Sequence, residues 1–181
     1  MPSKTALCVT GMPGCGKEEF LKIASRMGLP VIRMGDVVRE EASRRGISLT
    51  DEGVGGMAHE ERQVHGPDIW ARRTLERVST DRVVIDGVRS PDEVNAFREA
   101  FADHLCIVAV HASPGTRYRR ISRRGRKDDV VTEEQLRLRD QRELRWGLGK
   151  VIALADYMIV NEGSLDDFIG ETQEVLRKIF G

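Results

Sequence analysis

Short, continuous apolar segments recur along the chain and are separated by stretches with helical periodicity. Each segment is rich in Val and Ile and does not alternate with polar residues, which is the pattern of a strand buried on both faces. Such strands belong to parallel sheets, whose two faces are covered by helices. The five predicted strands are residues 5–10, 29–34, 82–87, 105–111 and 155–160.

Amphipathic helical patterns lie between these segments. One has Ser90 as its N-cap, Pro91 at its first helical position and Glu93 three residues after the cap, which together predict a capping box. The last pattern, over residues 165–180, places its apolar residues, Leu165 included, on one face and should close the sheet. Strands that alternate with helices predict a doubly wound α/β fold.

Two connections are longer than a simple crossover requires. Residues 36–80 contain two or three helical stretches joined by the Gly-rich segment TDEGVGG, and residues 114–150 contain a basic stretch. We name them the acceptor flap and the lid segment, because both follow strands whose carboxyl ends should face one site. The chain of 181 residues is otherwise expected to form a single domain.

Composition narrows the classes of function. Hydrophobic residues at 40%, charged residues at 32% and a formal net charge of zero are typical of a globular protein and give no global reason to expect nucleic-acid binding. The three cysteines form no CxxC pair or Cys/His ligand set, which suits a reducing compartment. The apolar run near the N-terminus is too short for a signal peptide or membrane span, so we expect a cytoplasmic protein with no membrane partner.

The segment GMPGCGK fits the pattern G-x-x-x-x-G-K between a buried strand and a helix. Its glycines allow backbone amides to turn toward phosphate oxygens, and the helix N-terminus adds positive potential. Lys17 should reach the β and γ phosphates of ATP. The fold is therefore expected to be a P-loop NTPase three-layer sandwich. The nucleotide-binding loop residues are Gly11, Met12, Pro13, Gly14, Cys15, Gly16, Lys17 and Glu18.

Two acidic residues are candidates for holding magnesium. Glu18 stands where this motif usually has Ser or Thr; its carboxylate suits magnesium, but a glutamate in a first helical turn is equally favoured by the helix dipole. Asp86 is the better candidate, because P-loop enzymes place an acidic metal residue at the end of a neighbouring strand. The alternative interpretation of Asp86 is the first residue of an Asp-Gly hairpin turn. A hairpin would lead into a second strand, whereas Ser90 begins a helix.

Other charged residues follow the second and third strands. Asp36 and Arg39 are three apart at a helix start and share a face, and Arg89 comes just after Asp86. Each arginine alone is typical of a surface, but together, beside a phosphate loop, they predict a clamp for a second anionic substrate. Trp70 and Trp146 are interpreted as packing residues, although Trp70 lies in the acceptor flap and could contact a ring.

The basic run RYRRISRRGRKDD begins at Arg117 in the lid segment. Such a run is most often a solvated face and less often a nucleic-acid patch. Its position favours arginines that neutralise a migrating phosphoryl group. The candidates are Arg120, Arg123, Arg124 and Arg126, with Arg139 and Arg142 returning from the following helix.

As a set, these motifs resemble the nucleoside monophosphate kinase group of P-loop proteins. GMPGCGK, MGDVVRE and DGVRS are similar to the phosphate loop, the acceptor-binding Gly-Asp-x-x-Arg and the Asp-Gly-x-x-Arg of adenylate kinases. LPVIRMGDVVRE and ADYMIVNEGSLDDF also resemble dephospho-coenzyme A kinases. Over nearly its whole length the chain is most similar to a mainly archaeal family of P-loop kinase-like proteins of unassigned function, through MGDVVREEA, DGVRS, VHASP, RRGRKDD and ALADYMIVNEGSL.

The resemblance implies roles for particular residues. Asn161 and Gly163 would border adenine, and Arg39 and Arg89 would hold the acceptor. Asp36 would be a general base for a hydroxyl acceptor, or would orient magnesium waters for a phosphate acceptor. Two features depart from the related kinases: Glu18 replaces the hydroxyl residue, and DGVRS is not the pattern of dephospho-coenzyme A kinases after strand three.

The leading hypothesis is phosphoryl transfer from ATP, with magnesium, to a small nucleotide or nucleotide-like acceptor. Catalysis would rest on Lys17, Asp36, Arg124 and Arg126. The alternative is a nucleotide-dependent regulatory NTPase or switch without a small-molecule acceptor. A third hypothesis, an RNA-associated protein, predicts RNA affinity that depends steeply on salt.

Overall fold

The computed structural model describes residues 4–124 and 132–181, and it confirms the five-stranded parallel sheet. The strand order is β2-β3-β1-β4-β5. Two strands match their predicted bounds, whereas the second, third and fifth are shorter than predicted. The strands are β1 (Thr5–Thr10), β2 (Val31–Arg33), β3 (Arg82–Asp86), β4 (Leu105–His111) and β5 (Tyr157–Val160).

Helices cover both faces of the sheet, which completes the three-layer α/β sandwich of the P-loop kinase-like fold. None of the helices within the described ranges is long and apolar enough to cross a membrane. They are α1 (Lys17–Arg26), α2 (Met34–Arg44), α3 (Asp51–His65), α4 (Ile69–Leu75), α5 (Pro91–Phe101), α6 (Pro114–Arg124), α7 (Glu133–Arg145), α8 (Leu148–Ala153) and α9 (Leu165–Phe180), with a short 3-10 turn over Ala102–His104.

The core divides into two clusters, one on each face of the sheet. Successive residues of β1 show the division: Ala6 and Cys8 pack with the helices of the acceptor flap and α5, whereas Leu7 and Val9 pack with α1 and α9. A strand whose two faces are both buried needs an unbroken apolar sequence, which explains the continuous runs. Each fully buried Leu or Val side chain contributes about 2 kcal/mol of transfer free energy.

The closing helix α9 packs as its periodicity predicts, with one exception at its start. Phe168, Val175, Leu176 and Phe180 are buried against the sheet. Leu165 is 59% exposed, so the prediction that it joins the apolar face is wrong. It is the first helical residue after the Ser164 N-cap.

The Gly-rich segment of the acceptor flap is helical, so the prediction that it links two helices is wrong. Thr50 accepts a hydrogen bond from the Gly53 amide at 3.1 Å and so caps α3, which begins at Asp51. A side chain on Gly53 would come within 2.4 Å of the Ser48 carbonyl oxygen. Local propensity for a loop is overridden here by a cap and a close backbone approach.

Candidate active site

The loop between β1 and α1 turns back on itself at three glycines with positive φ. The φ angles are 145° at Gly11, 81° at Gly14 and 114° at Gly16. A Cβ at Gly11 would lie 2.3 Å from the Val110 carbonyl oxygen, and one at Gly16 would lie 2.2 Å from Asn161 Nδ2. Both the backbone angles and the space therefore require glycine, which leaves the loop free to wrap around a phosphate at the start of α1.

Lys17 is the first residue of α1 and folds back over the loop. Its Nζ donates a hydrogen bond to the Gly11 carbonyl at 2.6 Å and lies 4.0 Å from Cys15 Sγ. This contact keeps the ammonium group at the mouth of the loop, where a triphosphate would bring its β and γ phosphates.

Asn161, directly after β5, and Arg120 of α6 support the loop. Asn161 is buried, and its Nδ2 donates to the Cys15 carbonyl at 2.9 Å. Arg120 donates to the same carbonyl at 3.4 Å and to the Asn161 carbonyl at 3.0 Å. The amide of Asn161 is thus occupied by the phosphate loop, whereas Gly163 is exposed. A position of both residues beside adenine stays a prediction.

Arg117 has a structural contact that the basic run did not reveal. Its side chain is only 3% exposed, and it donates to the Pro13 carbonyl at 3.0 Å and to both carboxylate oxygens of Asp140. Grouping it with solvated or phosphate-seeking arginines is therefore wrong. It joins α6, α7 and the phosphate loop. The signal available in sequence was a lone Asp among the arginines of α7.

The other lid arginines divide into two groups. Arg123 is exposed near the end of α6. Arg126 lies outside the described residues, as does the side chain of Arg124. The catalytic roles of Arg124 and Arg126, and nucleotide binding by Arg123, stay predictions.

Asp86 ends β3 directly beside β1, where it pairs in register with Val9. The residue is partly buried, and its buried Oδ1 receives no hydrogen bond from any described residue. Burial raises the pKa of Asp86, while Lys17, Arg89 and Arg33 act in the opposite direction. The chain continues through Gly87 into α5 rather than into a second strand, so the hairpin-turn interpretation is excluded.

A magnesium ion fits this position. Mg²⁺ is usually held by one or two carboxylates, with waters and substrate phosphates completing its octahedron. The unpaired oxygen of Asp86 supplies such a carboxylate at the mouth of the phosphate loop. Among residues 4–124 and 132–181, no three His, Cys, Asp or Glu side chains cluster as a self-sufficient metal site.

Glu18 points to β2 and forms an ion pair with Arg33 at 2.8 Å. Both side chains are partly exposed, at 44% and 37%. Glu18 also sits in the first turn of α1, where the helix dipole favours a carboxylate. Arg33 was not identified from sequence, because no motif marks the last residue of a short strand. A metal role for Glu18 stays a prediction.

Three adjoining cavities lie along the carboxyl edge of the sheet. The phosphate cavity is lined by Gly14, Gly16, Lys17, Glu18, Asp86 and Arg120. The acceptor cavity is lined by Arg39, Arg62, Arg89, Arg142 and Trp146, among others. The bridging cavity shares Lys17 and Asp86 with the first and Arg89 with the second.

Arg139 of α7 lines all three cavities. Its Nε is buried and has no hydrogen-bond partner among the residues at 4–124 and 132–181. An unpaired buried guanidinium nitrogen costs free energy, and an anion bound in these cavities would remove that cost. The sequence placed Arg139 near the phosphates; the structure places it between the two halves of the site.

The acceptor cavity has an aromatic centre that sequence reasoning missed. The Trp146 ring lies 5.1 Å from the Arg62 guanidinium, 5.5 Å from that of Arg89 and 5.8 Å from that of Arg142. Cations within about 6 Å of an indole face are attracted to it. Trp146 therefore orders three arginines rather than only packing. Its signal in sequence was weak, because Arg62 is far away along the chain.

Glu93 is fully buried beneath these arginines. It accepts a hydrogen bond from Arg62 Nη2 at 3.1 Å and one from the Arg89 amide at 2.8 Å. Ser90 caps α5 through the Glu93 amide as predicted, but the reciprocal half of the capping box is wrong: the Glu93 carboxylate binds the amide one residue before the cap. Glu93 thereby connects the acceptor flap to the strand edge.

Asp36 and Arg39 share a face of α2, as predicted, and form an ion pair at 2.8 Å with both side chains about half exposed. Arg39 lines the acceptor cavity, but Asp36 is not among the described residues that line any of the three cavities. A catalytic role for Asp36 stays a prediction.

Comparison with known proteins finds relatives over nearly the whole chain. Residues 10–137 match the AAA domain family. A UPF0200 protein of Hyperthermus butylicus is 50% identical over 178 residues, covering 97% of this chain and 95% of that protein. A UPF0200 protein of Pyrococcus abyssi is 44% identical over 181 residues, covering 96% of each chain.

Solved structures share the fold at low identity. A shikimate kinase from Bacteroides thetaiotaomicron has a TM-score of 0.67 at 18% identity, covering 96% of this chain and 98% of that one. A gluconokinase from Sinorhizobium meliloti has a TM-score of 0.60 at 20% identity, covering 98% and 93%. At these identities the likeness establishes a P-loop kinase-like fold.

Proposed function

Because the chain belongs to the archaeal UPF0200 family and has a P-loop kinase-like AAA domain, we propose that it is a kinase. It transfers the γ-phosphoryl group of ATP, with magnesium, to a small nucleotide or nucleotide-like acceptor. The fold suggests nucleotide-dependent phosphoryl transfer. That the donor is ATP, that the metal is magnesium and that the acceptor is nucleotide-like are our proposal.

The observation that carries the proposal is the pair of cavities that meet at Arg139. One is built around a glycine-rich loop at a helix N-terminus, which suits a polyphosphate. The other contains five arginines, Arg139 included, which suits a second anion. A switch that only binds and hydrolyses a nucleotide has no need of the second cavity.

On the nucleotide side, the loop amides and Lys17 hold the β and γ phosphates. Arg120, fixed by Asn161, adds positive charge at the wall of the phosphate cavity. Asp86 would hold the magnesium ion, which, when bound, neutralises phosphate charge as the γ-phosphoryl group is transferred. Arg139 lies where charge would develop between donor and acceptor.

On the acceptor side, the cavity is lined by both arginines and apolar side chains. Arg39, Arg62 and Arg89 supply guanidinium groups for an anionic part of the acceptor. Val38, Leu49, Val54 and Trp70 line the remainder and suit an uncharged ring or chain. A nucleotide-like molecule carries both parts.

The proposal is tested by ADP release from the purified protein with MgATP and a panel of nucleoside monophosphates and dephospho-coenzyme A. We expect at least one acceptor to raise ADP release well above hydrolysis by water. Arg39→Met and Arg89→Met should each lower kcat/KM for that acceptor by about 100-fold, since a lost charged hydrogen bond costs about 2–3 kcal/mol.

Background ATP hydrolysis should survive in both variants, because neither arginine belongs to the phosphate cavity. Arg82→Met is the matched control, because Arg82 lies exposed at the opposite end of β3. If no acceptor raises ADP release, the kinase proposal is wrong and the switch hypothesis gains.

A further inference from the structure

Two carboxylates line the bridging cavity, Asp86 and Glu143 of α7, and no sequence motif marked Glu143. Its side chain is only 4% exposed, and it lines the bridging cavity together with Lys17 and Asp86. Asp36, the carboxylate that the family resemblance places near a hydroxyl acceptor, points instead to Arg39. Glu143 is thus the acidic side chain between the phosphate loop and the acceptor cavity that has no other assigned role.

One oxygen of Glu143 has an unfilled hydrogen-bonding capacity. Its Oε2 is buried and accepts no hydrogen bond from any residue in the described ranges. Arg89 Nε lies 3.5 Å away, which is close enough for an ion pair but long for a hydrogen bond. Buried carboxylate oxygens are normally hydrogen-bonded, so this one is arranged to accept a donor that the protein does not supply.

The charged groups around Glu143 restrict which chemical group of a ligand can donate a hydrogen bond to it. Arg89 faces it from the loop after β3, and Lys17, Asp86 and Arg139 line the bridging cavity with it. The arginines suit the anionic part of an acceptor. A phosphate as the attacking group would bring a further negative charge against the carboxylate, whereas a hydroxyl would donate a hydrogen bond to it.

We propose that the attacking group of the acceptor is a hydroxyl and that Glu143 is its general base. This inference rests on the proposed kinase function and names the substrate class more narrowly: an anionic molecule phosphorylated on a hydroxyl. The Glu143 carboxylate takes the proton as the hydroxyl oxygen bonds to the γ-phosphorus. The bond from the γ-phosphorus to the bridging oxygen breaks, and its electron pair leaves with ADP.

The product of the reaction tests the inference directly. The panel assay is repeated with dephospho-coenzyme A, nucleoside monophosphates and sugar phosphates, and the products are examined by ³¹P NMR. A phosphate monoester gives a new resonance without phosphorus–phosphorus coupling, and this is the expected result. A coupled resonance from a new phosphoanhydride would overturn the inference while leaving the kinase function standing. Transfer to no acceptor at all would contradict both.

Variants of Glu143 test its role as the base. Glu143→Gln should lower kcat by about 10²–10⁴-fold, abolish the acid limb of the kcat–pH profile and leave the affinity for a non-hydrolysable ATP analogue unchanged. Glu143→Asp keeps a carboxylate and should retain the acid limb with a kcat at least about ten-fold below wild type. Glu134→Gln, on an exposed position of the same helix, should match the wild type.

Three outcomes would overturn the role. A raised acceptor KM with an unchanged kcat in Glu143→Gln would mean that Glu143 only holds Arg89. A changed magnesium dependence with an intact acid limb would make it a metal-binding residue. If a thermal melt shows that Glu143→Gln does not fold, Glu143→Asp tests the role of the general base instead. A wild-type rate in Glu143→Asp would contradict the proposal.

Discussion

Asp86 shows how one residue can oppose stability while serving a binding site. One oxygen of its carboxylate is buried and accepts no hydrogen bond from the described residues, and desolvation raises the pKa of Asp86. A raised pKa means that folding disfavours the ionised form, so at neutral pH the ionised side chain lowers the free energy of unfolding. Sites that bind ions commonly carry such a cost until the ligand arrives.

Replacing Asp86 by Asn should therefore stabilise the nucleotide-free protein by about 1 kcal/mol at pH 7 and weaken MgATP binding at least ten-fold. The stability gain should shrink as the pH falls, because wild-type Asp86 becomes protonated below its raised pKa. Thermal melts in EDTA across pH 5–8 and titration with MgATP measure the two effects. A lower melting temperature in Asp86→Asn at pH 7 would contradict this account.

At the scale of elements, the start of α3 carries glycines that helix propensity does not explain. Gly55 lines the acceptor cavity, whereas Gly56 is exposed on the neighbouring position, and a Cβ at either would meet no atom within 4 Å. Glycine in a helix interior costs about 1 kcal/mol relative to alanine. The open space beside Gly55 is therefore available to the acceptor.

The two positions make a matched pair of variants. Gly55→Ala and Gly56→Ala should each raise the stability of the protein by about 0.5–1 kcal/mol. Only Gly55→Ala should raise the KM for the acceptor, since only its methyl group enters the cavity. Thermal melts and acceptor kinetics distinguish the variants, and equal KM values would show that the acceptor does not reach α3.

Glu162, in the loop between β5 and α9, connects that loop to the start of α6. The backbone amide of Ser113 and the hydroxyl of Thr116 both donate to its carboxylate, and these hydrogen bonds lower the pKa of Glu162 to about 2. A carboxyl group whose pKa is lowered on folding stabilises the native state above its unfolded pKa, which is 4.5 here, and loses that contribution as the pH falls toward 2.

Glu162→Gln should accordingly lower the melting temperature at pH 7, and its difference from wild type should narrow as the pH falls below about 4.5. The variant Glu171→Gln, exposed on α9, is the control and should melt like wild type at each pH. A difference that stays constant between pH 7 and pH 3 would show that the carboxylate charge is not what joins α6 to the loop before α9.

At the scale of the whole molecule, the Arg117–Asp140 pair joins the lid helices to the phosphate loop. Arg117 is almost fully buried and contacts the loop through the Pro13 carbonyl. Removing one partner of a buried pair leaves an uncompensated charge, whereas replacing both by apolar residues is often close to neutral.

Arg117→Met should destabilise the protein by about 3 kcal/mol, and the double variant Arg117→Met with Asp140→Leu should recover most of that loss. ATP affinity should stay reduced in the double variant, because the Pro13 carbonyl still lacks its donor. Chemical denaturation and nucleotide titration measure the two quantities. Full recovery of ATP affinity in the double variant would show that the loop does not depend on Arg117.

The sequence predicted more of the fold than of the candidate site. Continuous apolar runs predicted all five strands, and the phosphate loop was predicted because its glycines are required by local backbone angles. The helical start of α3 was missed because its cap and the close approach of Ser48 override a loop-like composition. Trp146 and Glu143 were missed because their partners lie far away in sequence and no spacing rule connects them.

The sequence by itself determined the parallel α/β sandwich, the position of the phosphate loop and the placement of Asp86 at the edge of the sheet. These features depend on hydrophobic periodicity and on residues adjacent in the chain. Only the tertiary structure decided which arginines are buried partners and which face the cavities, and that Glu143 rather than Asp36 lies between them. Those distinctions depend on distance and burial, because a charged side chain acquires its role from the groups that desolvate and pair with it.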